Sequence, residues 1–190
     1  FEGVSTDTRS ISRGELFCAL KGPNFDGHEH CFEAELAGAA GAIIQRPIST
    51  NLSTLTTDDT RRALGCLASA WRRRFDIPVV GVTGSNGKTT VKEMIGSILR
   101  TNALVLTTKG NLNNNIGVPQ TLFQLNAEHE YAVIEMGASH LGEIKWLSEI
   151  SQPSVGVITL CAPAHLEGFG SLDSVAEAKG ELYTGLAVGG

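Results

Sequence analysis

The stretch VTGSNGKTTVKEM at residues 82–94 constrains this chain most. Two glycines, a lysine and two threonines fall within seven positions, between an apolar run and an amphipathic one. The run before it, IPVVGV (77–82), is continuously apolar and mostly β-branched, which suits a strand buried on both faces of a parallel sheet. After it, Val91, Met94, Ile95, Ile98 and Leu99 recur at helical spacing and predict a helix over 88–100. Between strand and helix, Gly84 and Gly87 allow a tight turn with inward-pointing amides, and the helix adds the positive end of its dipole. Ser85, Asn86 and Thr90 complete this loop. Lys88 can then reach the outer phosphates of a nucleotide, and Thr89 can offer its hydroxyl to a magnesium ion. The match to G-x-x-x-x-G-K-[ST] is imperfect, because Val82 stands five before Gly87 and the nearest glycine is Gly81. A glycine-rich turn with a surface lysine is the plain alternative.

The rest of the chain narrows the setting. Its 190 residues are 42% hydrophobic and 18% charged, enough apolar material for one ordinary domain or two small ones. A formal net charge of -5 argues against a general nucleic-acid surface. No apolar run reaches the length of a membrane span, and a cytoplasmic location is expected. Cys18, Cys31, Cys66 and Cys161 are widely separated within apolar patterns and read as reduced core cysteines rather than a zinc site or disulfide framework. Phe1 is not an initiator residue, and GLAVGG directly follows a helical pattern. The functional protein is therefore expected to be longer.

Two α/β segments follow from the patterning: a small N-terminal domain over 1–76 and a central domain over 77–190. In the first, ELFCAL and GAIIQ read as strands. GHEHCFEAELAGAAG reads as a helix with Cys31, Phe32, Ala34, Leu36 and Ala37 as its apolar positions. The segment 58–75 begins with cap-like Asp58 or Asp59 and ends in three arginines, complementing a helix dipole, so the arginines read as a solvated helix end. In the second, PVVGV, NALVLTT, YAVIEMG and SVGVITLCA alternate with helical patterns over 88–100, 117–125, 141–150 and 171–186. This alternation predicts a doubly wound, mostly parallel sheet with its ligands at the carboxyl ends of the strands.

Four features could carry chemistry there. Glu135 ends an apolar strand, where an unpaired carboxylate is costly to bury, and a metal ion beside the phosphates is its simplest partner; a hydrogen-bonded structural glutamate is the alternative. His165 follows the strand GVITLCAPA within HLEGFG, expected to be a loop at the ligand end. Asn111 and Asn113 to Asn115 precede a helix start, where amides can bind phosphate or sugar oxygens or simply form turns. Lys179 belongs to a helical pattern with Val175, Ala178 and Leu182, at the edge of the buried face.

Together these residues resemble the ATP-dependent Mur ligases of peptidoglycan precursor synthesis. The resemblance runs over essentially the whole chain, through STDTRSISRGELFCALKGPNFDGHEH, VVGVTGSNGKTTVKEM, GNLNNNIGVPQTL, YAVIEMGASHLGEI and PAHLEGFGSLDSVAEAKGE. The asparagine run and AHLEGFGS with AKGE are similar to the members that add D-alanyl-D-alanine to UDP-N-acetylmuramoyl-tripeptide. The resemblance implies a three-domain, monomeric enzyme, with this chain covering the first domain and about half of the second, P-loop-type domain. It implies that Lys88 and the amides of residues 84 to 90 hold the phosphates of ATP. Thr89, Glu135, His165 and a carbamylated Lys179 would attend two magnesium ions. Ser5, Thr6, Asp7, Thr8, Arg9, Lys21, Asp26, Gly27 and His28 would contact the UDP-muramyl-peptide, and Asn111, Asn113 and Asn114 the place where peptide and phosphates meet. Leu160 stands where the family often has asparagine, and Gly137 to His140 reads GASH where it often reads GANH. The serine there resembles sister ligases that add the third amino acid. A folate-polyglutamate-type ligase and a non-catalytic nucleotide-binding fragment are the other readings.

Overall fold

The computed structural model describes residues 1–163 and 166–186, with the backbone alone at 166 and 167. It divides into two compact units, Phe1–Leu67 and Ala68–Gly190. The division falls inside a helix, upstream of the boundary expected at residues 76 and 77.

In the first unit, strands β1 (Val4–Ser5), β2 (Leu16–Cys18), β3 (Gly41–Ile44) and β4 (Thr54–Thr56) form a parallel sheet in chain order. Phe17, Ala19, Ala42 and Ile44 pack with Cys31 and Ala34 into its core. The helix expected over 27–41 is shorter and broken, with a 3-10 turn at Gly27–His30 leading into α1 (Cys31–Leu36). Asp26 accounts for the break. Its carboxylate accepts the His28 amide at 3.0 Å and faces Nδ1 of the same residue, while His28 Nε2 accepts the Gln45 amide at 2.8 Å. An accepting Nε2 fixes the imidazole proton on Nδ1, toward the aspartate. Phe32 and Leu36, expected in the core, are 62% and 72% exposed. β1 and β4 escape a pattern reading because β1 is two residues long and every residue of β4 is exposed.

Helix α2 (Thr60–Arg72) begins on Asp59, whose Oδ1 accepts the amides of Arg61 and Arg62 at 2.8 and 3.1 Å. The arginine run at its end divides. Arg73 and Arg74 are exposed as expected, but Arg72 is buried. Its guanidinium donates from Nε to Ser151 O and from Nη2 to Ile77 O, each at 3.0 Å, and from Nη1 to Phe75 O. The planar fork serves three backbone carbonyls at once.

The second unit is built on β5 (Val79–Thr83), β6 (Val105–Thr107), β7 (Tyr131–Glu135) and β8 (Val155–Ile158), all parallel in the order β6-β7-β5-β8. Side chains alternate between the two faces of each strand. Val80, Val82, Val105, Val133 and Val157 face α3 (Lys88–Leu99) through Val91, Ile95 and Leu99. The opposite residues, Val79, Leu106, Ala132, Ile134 and Met136, pack with Val118 and Leu122 of α4 (Gly117–Leu122), Ile144, Leu147 and Ile150 of α5 (Glu143–Ser151), and Leu182 of α7 (Leu172–Thr184). Helices therefore cover both faces, as the alternation of elements predicts. Gly81 and Gly156 are register partners on β5 and β8, and Leu182 sits over both. A Cβ at either would come within 2.9 or 3.2 Å of the Leu182 side chain.

Three expectations are corrected. Met94 and Ile98 of α3 are 60% and 69% exposed, and the buried stripe instead runs through Lys92 and Gly96. HLEGFG includes a short helix, α6 (Leu166–Phe169), rather than being loop throughout. Of the four cysteines, Cys18 and Cys31 are buried, their thiols pushed up to about 12 and about 11 by desolvation, while Cys66 and Cys161 are exposed. Among the described residues no helix is long and apolar enough to cross a membrane.

Two outcomes follow. Arg72→Met leaves three carbonyls without their donor and should destabilise the second unit by about 3 kcal/mol, read as a lower urea midpoint. Hydrogen bonds from the His28 amide and imidazole hold the Asp26 carboxyl at about 2, below the usual carboxylate range. A depressed folded value stabilises above the unfolded pKa of about 4 and is lost as pH falls toward about 2. Asp26→Asn should flatten that part of the acid unfolding profile of the first unit, and an unchanged profile would refute the assignment.

Candidate phosphate-binding site

The glycine-rich loop leaves the end of β5 and turns directly into α3. Gly84 has φ of 142° and Gly87 has φ of 78°, the latter at the N-cap of α3, so both occupy backbone regions that favour glycine. A second strand end holds the loop. Ser85 N donates to Leu160 O at 2.9 Å, Ser85 Oγ donates to Ala162 O at 2.9 Å and accepts Ala162 N at 3.0 Å, and Thr159 Oγ1 donates to Asn86 O. Leu160 thus supports the loop through its carbonyl, and its side chain is 44% exposed. Lys88 Nζ folds back onto the loop, donating to Gly84 O at 2.8 Å and Ser85 O at 3.5 Å.

The register of β5 with β7 pairs Val82 with Glu135. Glu135 lies two residues beyond Val133, on the face that looks toward α3, and is 1% exposed. Thr89 Oγ1 donates to its Oε2 and Asn113 Nδ2 to its Oε1, both at 2.9 Å. Both partners are neutral donors, and the carboxylate borders a cleft of about 280 Å³ lined by residues 85 to 90, Asn111, Asn113 and Glu135. An anionic oxygen pair beside a threonine hydroxyl and a row of loop amides suits a hard divalent cation bridging to phosphate.

The asparagine run divides its work. Asn111 and Asn113 reach the cleft, whereas Asn114 Oδ1 accepts the amides of Ile116 and Gly117 at 3.1 and 2.9 Å and caps the start of α4. Lys179 lies on α7, 2% exposed, with its ammonium 3.5 Å from Ala138 O and 5.2 Å from the Phe169 ring centre. Burial first, and then the charge of Lys88, lower its pKa. Glu181, one residue past Gly180, accepts the amides of Gly142 and Lys145 at 2.6 and 3.0 Å and so ties α7 to the start of α5. His165 lies outside the described residues. Among those described, no group of three or more His, Cys, Asp or Glu side chains is placed to hold a metal.

In the first unit, Asp7 and Arg9 pair bidentately, with Arg9 Nε and Nη2 donating to the carboxylate at 2.9 and 2.6 Å, and Ser5 Oγ donates to Asp7 O at 3.0 Å. The Arg9 guanidinium holds the Asp7 carboxyl at about 2. Arg9 and Lys21 are exposed, Thr6 and Thr8 are half-buried, and Gly27 and His28 are buried. The Gly27 amide donates to Leu20 O at 2.7 Å and the His28 ring spans Asp26 and Gln45, so these two residues serve the fold of the loop.

Pattern reading missed Thr83, Lys92, Thr108 and Thr159. Thr83 Oγ1 donates to Met136 O at 2.8 Å, and Thr108 Oγ1 accepts the Glu135 amide at 2.9 Å. The available signal was polar: threonines ending otherwise apolar strands, and Gly96, whose Cβ would lie 2.9 Å from Thr107 Cγ2, marking the inward side of α3 one turn beyond Lys92.

Known proteins share this architecture. Residues 82–190 match the Mur ligase middle domain, and residues 1–72 match the Mur ligase family catalytic domain. The chain is 48% identical over 189 residues to UDP-N-acetylmuramoyl-tripeptide--D-alanyl-D-alanine ligase of Escherichia coli (strain K12), covering 100% of this chain and 42% of that protein. MurF from Acinetobacter baumannii superposes with a TM-score of 0.93 at 45% identity, covering 97% of this chain and 41% of that one. MurF ligase from Thermotoga maritima in complex with ADP gives 0.91 at 34% identity, covering 97% and 43%. This chain thus spans about two fifths of the length of the relatives it matches. With one family model covering more than half of its residues and a second covering most of the remainder, the chain belongs to the Mur ligase family.

Proposed function

We propose that a full-length protein carrying this sequence is an ATP-dependent amide ligase joining D-alanyl-D-alanine to the tripeptide of UDP-N-acetylmuramoyl-tripeptide. The observation that carries the reaction type is Glu135, a buried carboxylate hydrogen-bonded to the threonine that follows the phosphate-loop lysine. The choice of substrates draws on the named activity of the Escherichia coli relative.

In this reading a terminal carboxylate oxygen of the tripeptide attacks the γ-phosphorus of ATP, the bond to the β-phosphate oxygen breaks, and ADP leaves. The amine of D-alanyl-D-alanine then attacks the carbonyl carbon of the acyl phosphate, the carbon–oxygen bond to phosphate breaks, and the nitrogen loses a proton. Lys88 swings from the Gly84 and Ser85 carbonyls onto the phosphates, and the loop amides orient them. Thr89, Glu135 and Asn113 form the wall where magnesium would sit. Magnesium, when bound, would offset the repulsion between a carboxylate and a polyanion. His165 is proposed as a further ligand. In the first unit, Ser5 to Arg9, Lys21 and the loop held by Asp26 are proposed to dock the UDP end.

Lys179 is proposed to act as a carbamate. Burial and Lys88 favour its neutral amine, the form whose lone pair adds to carbon dioxide, making a nitrogen–carbon bond and releasing a proton. The product is an anion able to face magnesium.

The deciding experiment measures phosphate release by the full-length protein with ATP, magnesium and UDP-muramyl-tripeptide, with and without D-alanyl-D-alanine. Release that depends on the dipeptide is expected. Turnover with a single amino acid and a shorter acceptor would move the assignment to a sister ligase, with Ser139 and His140 the first residues to exchange. In the same protein Lys179→Ala should abolish turnover, with partial recovery on adding short carboxylates; unchanged activity would remove Lys179 from the mechanism. The 190-residue chain alone should yield no ligated product, and steady product from it would contradict the need for a further domain.

A further inference from the structure

Lys92 has no part in the chemistry above, yet it is held where a lysine is expensive to hold. It lies on α3 one turn after Lys88 and is 1% exposed. Its ammonium donates to Thr108 O at 2.7 Å and meets Glu93 Oε1 at 2.7 Å. The Glu93 side chain is 53% exposed, so a lysine serving only as its counter-ion would stay at the surface with it. The contact that requires burial is the one to Thr108.

Thr108 closes a circuit. Its Oγ1 accepts the Glu135 amide at 2.9 Å, and the Glu135 carboxylate accepts from Thr89 Oγ1, back on α3, at 2.9 Å. The helix carrying the phosphate loop is thereby joined to Glu135 twice, directly through Thr89 and indirectly through Lys92 and Thr108. Thr108 also precedes the segment that delivers Asn111 and Asn113 to the cleft. Freeing it would release Glu135 from behind and loosen the approach of Asn113 to Oε1.

We propose that Lys92 is a positioning residue for the divalent-cation end of this site, fixing Glu135 relative to Thr89 by clamping Thr108 against α3. The inference rests on the reading of the cleft as a magnesium–nucleotide site. Supporting groups behind metal-binding side chains typically change metal affinity by about 10- to 100-fold when removed.

The test is calorimetric binding of ADP to the full-length protein across a magnesium titration, for the parent, Lys92→Met, Thr108→Val and the double variant. Lys92→Met is expected to raise the magnesium concentration needed for tight ADP binding about tenfold. Metal-free ADP affinity should stay nearly unchanged, because Lys88 and the loop amides are untouched. Thr108→Val, which keeps the carbonyl but loses the hydroxyl, should move the same midpoint in the same direction. The double variant should fall short of the sum of the two, as expected for neighbours in one network. A lowered melting temperature with an unmoved magnesium midpoint, or full additivity, would overturn the proposal. If Lys92→Met does not fold, Thr108→Val decides alone, and an unmoved midpoint overturns it. A parent protein whose ADP binding ignores magnesium would overturn the nucleotide-site reading and this inference together; a magnesium-dependent parent with indifferent variants would overturn this inference only.

Discussion

The parallel pairing of β5 with β7 places Val82 beside Glu135, and the arrangement of the cleft follows from that contact. β5 delivers the glycine-rich loop and β7 delivers the carboxylate, so one register determines how far apart a threonine hydroxyl and an acidic side chain begin. A slip of one residue would turn Glu135 to the opposite face, among Ile134, Met136 and the apolar residues of α5. The valines on one side and the larger apolar residues on the other resist that slip. The core thus supplies stability and also sets the positions of the site.

Burial does more at this site than proximity. Glu135, Lys92 and Lys179 are each no more than 2% exposed: Glu135 accepts from the neutral donors Thr89 and Asn113, Lys179 faces Ala138 O, and Lys92 donates to Thr108 O besides meeting the exposed Glu93 carboxylate. Weakly screened charge would suit the proposed nucleotide site, because an incoming cation or phosphate would meet a field that water has not dissipated. The Asp26 and His28 pair in the first unit shows the contrasting use, a buried imidazole whose two nitrogens are both engaged in shaping a loop.

Much of this was legible from residue order. The strand, glycine turn and helix stand where their patterns put them, and the late acid of an apolar strand, Glu135, is buried beside that turn, because both signals are local. Three things were not legible, each for a physical reason. The buried face of α3 is turned by about one residue from its apolar pattern, since Lys92 and Gly96 face inward while Met94 and Ile98 face outward. Arg72 looked like its neighbours Arg73 and Arg74, and only the three carbonyls converging on it separate them. Asn113 and Asn114 differ by one position but serve a carboxylate and a helix cap respectively, a distinction that arises from where the turn points.

Gly81 and Gly156 lie side by side on β5 and β8 and form a notch that Leu182 fills. Lys179 stands three residues earlier on the same helix, so the side chain that seats α7 on the sheet lies one turn from that buried lysine. A methyl group added at either glycine would crowd the Leu182 side chain, a disturbance one helical turn from Lys179 that alters no residue lining the cleft.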